Sequence, residues 1–331
     1  MNMKRFISSL VIIGLITTLI AGCGNSNAEK ESNQENAKIA IAYQYGLAYA
    51  PALIAQKNQL IEEKYKESTG KEIEVTWTQM SSGADINTGI ASGNIDIGFL
   101  GIAPAITGCI NEVGYKIFTN VSGQEHGIMT NQETIWNLGD LVESQNQIAL
   151  VNTGSIQHII LARALQNAGY DPHALDTNIV AMKHPDGMNA LQTGNVSCQL
   201  TTNPYLLKER EDSSLHEVSG ISEVWSKEDT FIVGVASEAM YKENQELYQA
   251  VCDAIKAAIN LINTDTEEAA KLTYDLDGNS LQDEIAYMQA GIYSVETKGI
   301  FELAKFMGDA GFIDKTPETY QDLVFSNVSG D

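Results

Sequence analysis

The sequence predicts an α/β fold made of two similar, doubly wound lobes, and two observations support this. Apolar segments with strand character alternate with helical segments over residues 38–101, and the same alternation returns over 147–202. Such alternation at short spacing is typical of parallel βαβ units. In both sets a helix ends in Gly-Asn just before the third strand, at 93–94 and at 194–195. We therefore expect two lobes; the alternative is a chance similarity between generic βαβ units.

The first set contains three strands and two helices. We expect strands at 38–45, 72–79 and 95–101, and helices at 48–65 and 83–93. The strands are apolar or alternate with period two, whereas 48–65 repeats its apolar residues at helical spacing, with Pro51 tolerated in the first turn. Pro104 then opens a further helix.

The second set repeats this order after two more strands. We expect strands at 115–122, 126–131, 147–153, 177–183, 196–202 and 230–236, helices at 155–168 and 187–194, and a helical region from 241 to 312. Residues 38–127 and 228–331 would form the first lobe and residues 128–227 the second. The chain would cross between the lobes near 127 and near 228, which makes a hinge.

The N-terminus predicts a secreted, membrane-anchored protein. Lys4-Arg5 precedes an apolar segment at 6–20 that is too short for an ordinary spanning helix, and small residues lead directly to Cys23. This pattern resembles a bacterial lipobox. Residues 1–22 would be a lipoprotein signal peptide, and Cys23 would carry lipid such as palmitate. Residues 23–37 would be a flexible polar tether. The alternative is an ordinary secretory signal that contains a cysteine.

The composition excludes several classes of partner. The net charge of −23 argues against nucleic acid, because phosphate binding requires clustered Lys and Arg. It also argues against electrostatic adhesion to anionic lipid. Cys109, Cys198 and Cys252 match no metal motif and are expected to be small buried hydrophobes, although one Cys109–Cys198 or Cys198–Cys252 bridge stays open.

The sequence does not favour an enzyme. It contains no nucleotide fingerprint, zinc-binding HExxH or phosphate-loop pattern, so we expect neither a metal nor a cofactor. Ser155 precedes Gln157-His158 but stands where a helix cap belongs. Glu125-His126 is expected to be a hinge or a pocket lining, together with Gln124, and not a catalytic pair.

Four loops point to a ligand cleft instead. Ligands of open parallel sheets bind outside the carboxyl ends of the strands. The four loops at these ends are Gln44-Tyr45-Gly46, Gly101-Ile102-Ala103, Thr153-Gly154-Ser155 and Thr202-Asn203-Pro204. Three contain Gly and three lead into helix N-termini, whose first N–H groups lack intrahelical partners and carry partial positive charge. We therefore expect an anion site made without Lys or Arg. Taken one at a time, each loop is also explained as a strand end or a helix cap.

Three blocks of sequence resemble a known family. "IAYQYGLAYAPALIAQ" (41–56), "SSGADINTGIASGNIDIGFLGIAPAI" (81–106) and "TGSIQHIILARALQNAGYDP" (153–172) are similar to the substrate-binding components of nitrate/sulfonate/taurine-type ABC importers. The middle block is most similar to the taurine-binding branch, and the resemblance covers about 39–325. It implies a type II periplasmic-binding-protein fold that closes on its ligand, a membrane permease and a cytoplasmic ATPase.

The resemblance also implies site residues. The anion-binding loops correspond to Gln44, Gly101-Ile102 and Gly154-Ser155-Ile156. Asp229 would meet a ligand amine, with Glu228 as a competitor for that role and a solvated loop charge as the alternative. Trp225 would pack over the ligand's carbon chain or belong to the core. The sequence departs from the family at Ile102-Ala103, where sulfonate binders often place hydroxyl residues.

These observations predict a monomeric, lipid-anchored solute-binding protein that delivers a small organic anion to an ABC importer. Taurine or another aliphatic sulfonate is the first expectation. The alternative is the same fold binding a neutral or heteroaromatic ligand such as a pyrimidine vitamin precursor, or else nitrate or bicarbonate. Tyr43, Tyr45 and Tyr205 near the rim would suit an aromatic ligand.

Overall fold

The computed structural model of the protein describes residues 37–275 and 278–331, and the signal peptide, Cys23 and nearly all of the tether predicted above lie outside these ranges. Ten strands are described: β1 Ala37–Tyr43, β2 Ile73–Gln79, β3 Ile97–Gly101, β4 Tyr115–Ser122, β5 His126–Thr130, β6 Ile148–Leu150, β7 Ile179–Ala181, β8 Cys198–Thr202, β9 His216–Val218 and β10 Ile232–Ser237. Thirteen α-helices accompany them: α1 Ala50–Lys57, α2 Leu60–Thr69, α3 Gly83–Ala91, α4 Ile102–Ile110, α5 Leu138–Ser144, α6 Ile156–Asn167, α7 His184–Gln192, α8 Tyr205–Arg210, α9 Glu238–Glu243, α10 Gln245–Thr264, α11 Thr266–Lys271, α12 Leu281–Ala290 and α13 Ile300–Asp309.

The strands form two sheets with the same topology. The first sheet has the order β2-β1-β3-β10-β4, and the second has the order β7-β6-β8-β5-β9. In each sheet the first three strands pair in parallel, with the central one joined to both neighbours. The expected pair of doubly wound α/β lobes is therefore confirmed.

The fourth strand of each sheet comes from a different part of the chain. Strand β10, which follows the second sheet in sequence, lies antiparallel between β3 and β4 of the first sheet. Strand β5, which follows β4, lies antiparallel between β8 and β9. Two short segments, 123–125 and 219–231, thus link the sheets, and each leads into a strand in the middle of the sheet that it enters.

Strands β3, β10 and β4 of the first sheet are buried on both faces. Phe99 of β3 and Phe118 of β4 are almost fully buried and pack edge to face at 6.1 Å between ring centroids. On one side α10 packs against α1 and α2 through a stripe of buried apolar residues at helical spacing, including Val251, Ile255 and Ile262. Such packing fixes the strand ends that bear the loops.

Several boundaries differ from the expectations. The helix expected over 48–65 is wrong as a single helix, because Gln59 adopts a left-handed conformation at φ 52° and separates α1 from α2. Helix α7 begins at His184 and not at 187, with Pro185 in its first turn. Helices α5 and α8 and strand β9 were not expected, because each has only three to seven residues and little periodicity.

The cysteines and the hydropathy add two facts. Cys109, Cys198 and Cys252 are free thiols, so the bridges left open above are not formed. Burial raises the pKa of the Cys252 thiol to about 12 and of the Cys198 thiol to about 11. Across the described ranges, none of the helices combines the length and apolar character that a membrane span requires.

Candidate functional site

A pocket lies between the two lobes, at the carboxyl ends of the parallel strands. Its empty volume is about 570 Å³ when the opening to solvent is included. From the first lobe it is lined mainly by Gln44, Tyr45, Gly46, Tyr49, Gly101 and Pro104. From the second lobe it is lined mainly by Ser155, Ile156, Gln157, Lys183, His184 and Asn203. Both lobes thus contribute walls, as a cleft that closes on a ligand requires.

Eight of the residues expected at the site line this pocket. They are Gln44, Tyr45, Gly46, Gly101, Ser155, Ile156, Thr202 and Asn203. Seven others lie off its wall: Ile102, Gln124, His126, Thr153, Gly154, Trp225 and Asp229. Their contacts show what these residues do instead.

The loop after β1 is held in a fixed shape. Gly46 has φ 99°, a conformation that glycine adopts without strain, and it begins the 3-10 turn that leads into α1. The Tyr49 hydroxyl donates a hydrogen bond to Gln44 Oε1 at 3.0 Å. Burial raises the pKa of Tyr49, so its hydroxyl stays protonated and remains a donor. The carboxamide of Gln44 is therefore oriented before any ligand binds.

The loop after β3 offers fewer free amides than its sequence implies. The Ile102 N–H donates to the Phe231 carbonyl at 2.8 Å, and Pro104 has no N–H. Among the first three residues of α4, only Ala103 therefore has an N–H free for a ligand. The expectation that the amide of Ile102 binds an anion is corrected, because the carbonyl of Phe231, just before β10, already accepts its hydrogen bond.

The loop after β6 also offers fewer free amides than its sequence implies. The Gly154 N–H donates to His158 Nδ1 at 2.9 Å, and the Ser155 N–H donates to the Asn152 carbonyl at 3.1 Å. Ser155 also caps α6, since its hydroxyl accepts from the His158 N–H. The amide donors are therefore those of Ile156 and Gln157, which have no intrahelical acceptor, and no longer those of Gly154 and Ser155.

His158 supports this loop from behind. Its Nε2 contacts Asp176 Oδ1 at 2.8 Å, while Nδ1 accepts from Gly154, so the proton is assigned to Nε2. The ring is buried and packs edge to face on Phe312 at 5.0 Å. His158 therefore shapes the loop and does not line the pocket.

Lys183 is the main residue that the sequence analysis missed. It precedes α7 at the end of β7, and it lines the pocket from the second lobe. Its ammonium lies 4.9 Å from the centroid of the Tyr45 ring and 3.4 Å from the Tyr45 hydroxyl. The expectation of a site without Lys or Arg is therefore wrong. Its position at the end of the strand expected at 177–183, at the sheet edge that carries the other loops, could have revealed it.

His184 and Tyr205 form an aromatic wall next to Lys183. Their rings stack with centroids 5.6 Å apart, and His184 Nδ1 lies 2.9 Å from Thr201 Oγ1. Burial lowers the pKa of His184 to about 4. The ring is therefore neutral at pH 7 and presents a flat polar surface without charge.

Gln124, His126 and Trp225 form a second layer behind the pocket wall. The Gln124 carbonyl accepts from Trp225 Nε1 at 2.9 Å and contacts His126 Nδ1 at 3.1 Å. His126 Nε2 in turn lies 3.3 Å from Nε2 of Gln157, which lines the pocket. Burial lowers the pKa of His126 to about 3, so the neutral ring accepts from Gln157. Trp225 therefore positions Gln124, and its contacts are not those of a cover over the ligand.

Asp229 does not reach the pocket. Its carboxylate accepts the Ser226 N–H at 2.8 Å and so closes the turn at 226–229. The role assigned to it, meeting a ligand amine, is corrected for this reason. Glu228, the competitor, forms an exposed ion pair with Lys298.

Asn203 presents an unsatisfied acceptor to the pocket. Its side chain is 1% exposed and lines the cavity, and its Nδ2 lies 3.5 Å from Gln124 Oε1. Its Oδ1 is buried and accepts no hydrogen bond within the described part of the chain. A buried unpaired amide oxygen costs free energy, so a ligand group that donates to it would be stabilised.

The charge of the lining is the clearest chemical property of the site. Lys183 is the single Lys or Arg on the described wall, and no Asp or Glu lies on that wall. In a chain with 43 acidic residues, this leaves one cation and the N-termini of α4, α6 and α7 facing the cavity. The arrangement favours a small anion.

Comparison with known proteins agrees with this geometry. The NMT1-like family matches residues 32–274, more than two thirds of the 331 residues. The taurine-binding periplasmic protein of Escherichia coli strain K12 is 28% identical over 160 residues. That match covers 48% of this chain and 46% of the relative, so it spans less than half of the relative's length.

Two solved structures share the fold. The alkanesulfonate-binding protein SsuA from Xanthomonas axonopodis pv. citri, bound to MOPS, has a TM-score of 0.72 at 16% identity and covers 90% of this chain and 99% of its own. The periplasmic aliphatic sulphonate binding protein SsuA from Escherichia coli has a TM-score of 0.65 at 17% identity, covering 88% and 93%. At such identities the likeness concerns the fold, and it confirms the type II periplasmic-binding architecture.

Proposed function

The chain belongs to the NMT1-like family, and from this premise we propose that it is an extracytoplasmic solute-binding protein that delivers a small organic anion to an ABC importer. The observation that carries the proposal is the interlobe pocket in which Lys183 and the N-termini of three helices converge without any carboxylate. No catalytic step is proposed, because His126 and His184 are held by fixed hydrogen bonds.

An aliphatic sulfonate is the ligand class that we propose. Its three oxygens could accept from the amides of Ala103, Ile156 and Gln157 and from the ammonium of Lys183. Four charge-assisted bonds of roughly 1.5–3 kcal/mol each amount to about 6–12 kcal/mol before ordering costs. Micromolar affinity requires about 8 kcal/mol, so preoriented donors could provide it. The names of the relative and of the two structural neighbours support this class.

The proposal includes a closing motion. The lobes would comprise 38–127 with 228–331 and 128–227, hinged where the chain crosses between the sheets. Ligand would bring the two walls of the pocket together, and the permease would recognise the closed form. Lipidation at Cys23 would keep a monomeric binding protein next to the permease and its ATPase.

The direct test is calorimetry with the purified protein. Titrants would be ethanesulfonate, taurine, acetate, nitrate and bicarbonate. We expect micromolar binding of at least one sulfonate, together with a rise in melting temperature and a smaller radius of gyration on binding. If none of the anions binds, the proposal is wrong.

A neutral heteroaromatic ligand is the second candidate, because aromatic rings also line the pocket. Tyr45, Tyr49, Tyr205 and Phe231 surround the cavity, and such rings can stack on a pyrimidine. This candidate is distinguished by tight binding of a pyrimidine vitamin precursor with affinity that does not change with salt. It also predicts loss of that affinity in Tyr45→Ala.

A further inference from the structure

A second chamber, called the outer chamber below, adjoins the anion pocket. Its empty volume is about 940 Å³, including the part open to solvent. Tyr45, Gly46 and Tyr205 line both spaces, so the chamber and the pocket adjoin at these residues. A ligand held by its head in the pocket would therefore extend its tail into this outer chamber.

The wall of the outer chamber is built from both lobes. Tyr43 and Gln79 are partners at the ends of β1 and β2, and Leu53 lies on α1. Pro185 and Met188 face them from α7. Met188 is a flexible, polarizable side chain that adapts to varied apolar partners. An apolar or aromatic tail fits this wall.

The charge of the outer chamber opposes a cationic tail. Lys208 lines it, with its ammonium 5.8 Å from the Tyr205 ring centroid and 5.9 Å from that of Tyr287. Neither the outer chamber nor the anion pocket has an Asp or Glu among its described lining residues. An ammonium group on the ligand would meet two lysines and no carboxylate, at a cost from like charges and from desolvation.

We infer that the natural ligand is an amine-free sulfonate whose apolar tail, longer than two carbons, occupies the outer chamber. This inference rests on the proposed function and specifies its ligand. It separates the protein from a binder of zwitterions, since the ammonium of taurine finds no carboxylate among the described lining residues of either space. Head and tail are recognised by different residues, so the two can be tested apart.

The test compares sulfonates of increasing length by calorimetry on the purified protein. A buried methylene strengthens binding roughly fourfold. We expect hexanesulfonate to bind at least about tenfold more tightly than ethanesulfonate. We expect 1-propanesulfonate to bind at least about tenfold more tightly than taurine, which has the same shape and differs in its terminal ammonium.

A charge placed in the chamber provides the matched variants. Met188→Glu should remove the preference for hexanesulfonate and improve taurine binding, while affinity for ethanesulfonate changes less than about threefold. Asn189→Glu, which adds the same charge at the next, exposed position of α7, should leave the preference intact. A selective effect of Met188→Glu would assign the tail to the chamber.

The outcomes separate this inference from the proposed function. If ethanesulfonate and hexanesulfonate bind equally, or taurine binds as well as 1-propanesulfonate, the inference is overturned while the proposed function stands. Loss of the preference in Asn189→Glu would also overturn it, because the effect would then not be local. If no sulfonate binds, the proposed function is wrong and this inference with it.

Discussion

Gly101 and Ile156 lie opposite each other across the cleft, and a Cβ atom built on Gly101 would be 3.2 Å from Ile156 Cγ2. Gly101 has φ −60°, so an alanine there would not strain the backbone. A Cβ at 3.2 Å is tighter than an ordinary van der Waals contact, so the glycine favours the close approach of the two lobes.

Gly101→Ala should therefore weaken ligand binding without destabilising the free protein. Overpacking of about 1–3 kcal/mol corresponds to a loss of affinity of roughly fivefold or more. Ile156→Ala in the same chain removes the clash and should restore part of the affinity, which a double-mutant cycle would measure. Equal affinity of Gly101→Ala and the wild type would contradict this account.

Lys183 should account for much of the preference for anions. Lys183→Met removes a charge-assisted hydrogen bond of about 1.5–3 kcal/mol, so the dissociation constant for ethanesulfonate should rise about 10–150-fold. Lys183→Arg keeps the charge and should lose less. Lys57→Met, an exposed lysine at the end of α1, is the control and should bind normally. The idea fails if the two methionine variants bind alike.

His126 should make the protein acid-sensitive. Its pKa is about 3 in the folded state, against an ordinary value of 6.5, so the unfolded chain binds more protons between these values. Its contribution to stability is therefore complete above pH 6.5 and is lost as the pH falls. Between pH 7 and pH 5, His126→Gln should lose about 2 kcal/mol less unfolding free energy than the wild type in urea titrations. Equal losses of unfolding free energy in the wild type and in His126→Gln would contradict this prediction.

Glu209 should lower the stability of the protein as the pH rises, which is opposite to the pH dependence expected from His126. Its side chain is fully buried, both carboxyl oxygens lack hydrogen-bond partners, and burial raises its pKa to about 8 from 4.5. The stability associated with its neutral form is present below pH 4.5 and is lost as the pH rises toward 8. Between pH 5 and pH 8, the free energy of unfolding of Glu209→Gln should therefore rise by roughly 3 kcal/mol relative to that of the wild type. Glu211→Gln, which is exposed, should show no such gain.

Cys23 should be the site of membrane attachment. Cys23→Ala is expected to abolish incorporation of a fatty-acid label and to release the protein from the membrane fraction. Cys252→Ala should retain both, because a thiol whose pKa is raised by burial to about 12 is protonated and unreactive. Membrane retention of an unlabelled Cys23→Ala protein would show that another segment holds it.

The sequence revealed the architecture because periodicity reports burial. In each sheet, strands that alternate with helices at short spacing predict the parallel pairs. The break at Gln59 was not predictable, because glutamine is an ordinary helix residue and nothing in its neighbours marks the left-handed conformation that it adopts.

The chemistry of the site was harder to predict, because it depends on which amides already have partners. The N–H groups of Ile102 and Gly154 appear free in the sequence, and their acceptors, Phe231 and His158, are known only from the fold. The role predicted for Asp229 was wrong for the same reason, since a turn that uses the carboxylate cannot be recognised from spacing alone. Lys183 was missed because the pattern predicts it as the last residue of a strand and not as part of the loop that follows it.

The exchange of middle strands between the sheets has a consequence for synthesis. Strand β10 lies between β3 and β4, yet it is made only after every strand of the second sheet. Until residue 237 has emerged, both neighbours keep an unpaired edge that can pair with other chains. A translated fragment that stops before β10 thus exposes two strand edges, and the lobe that begins first along the chain is the last to be completed.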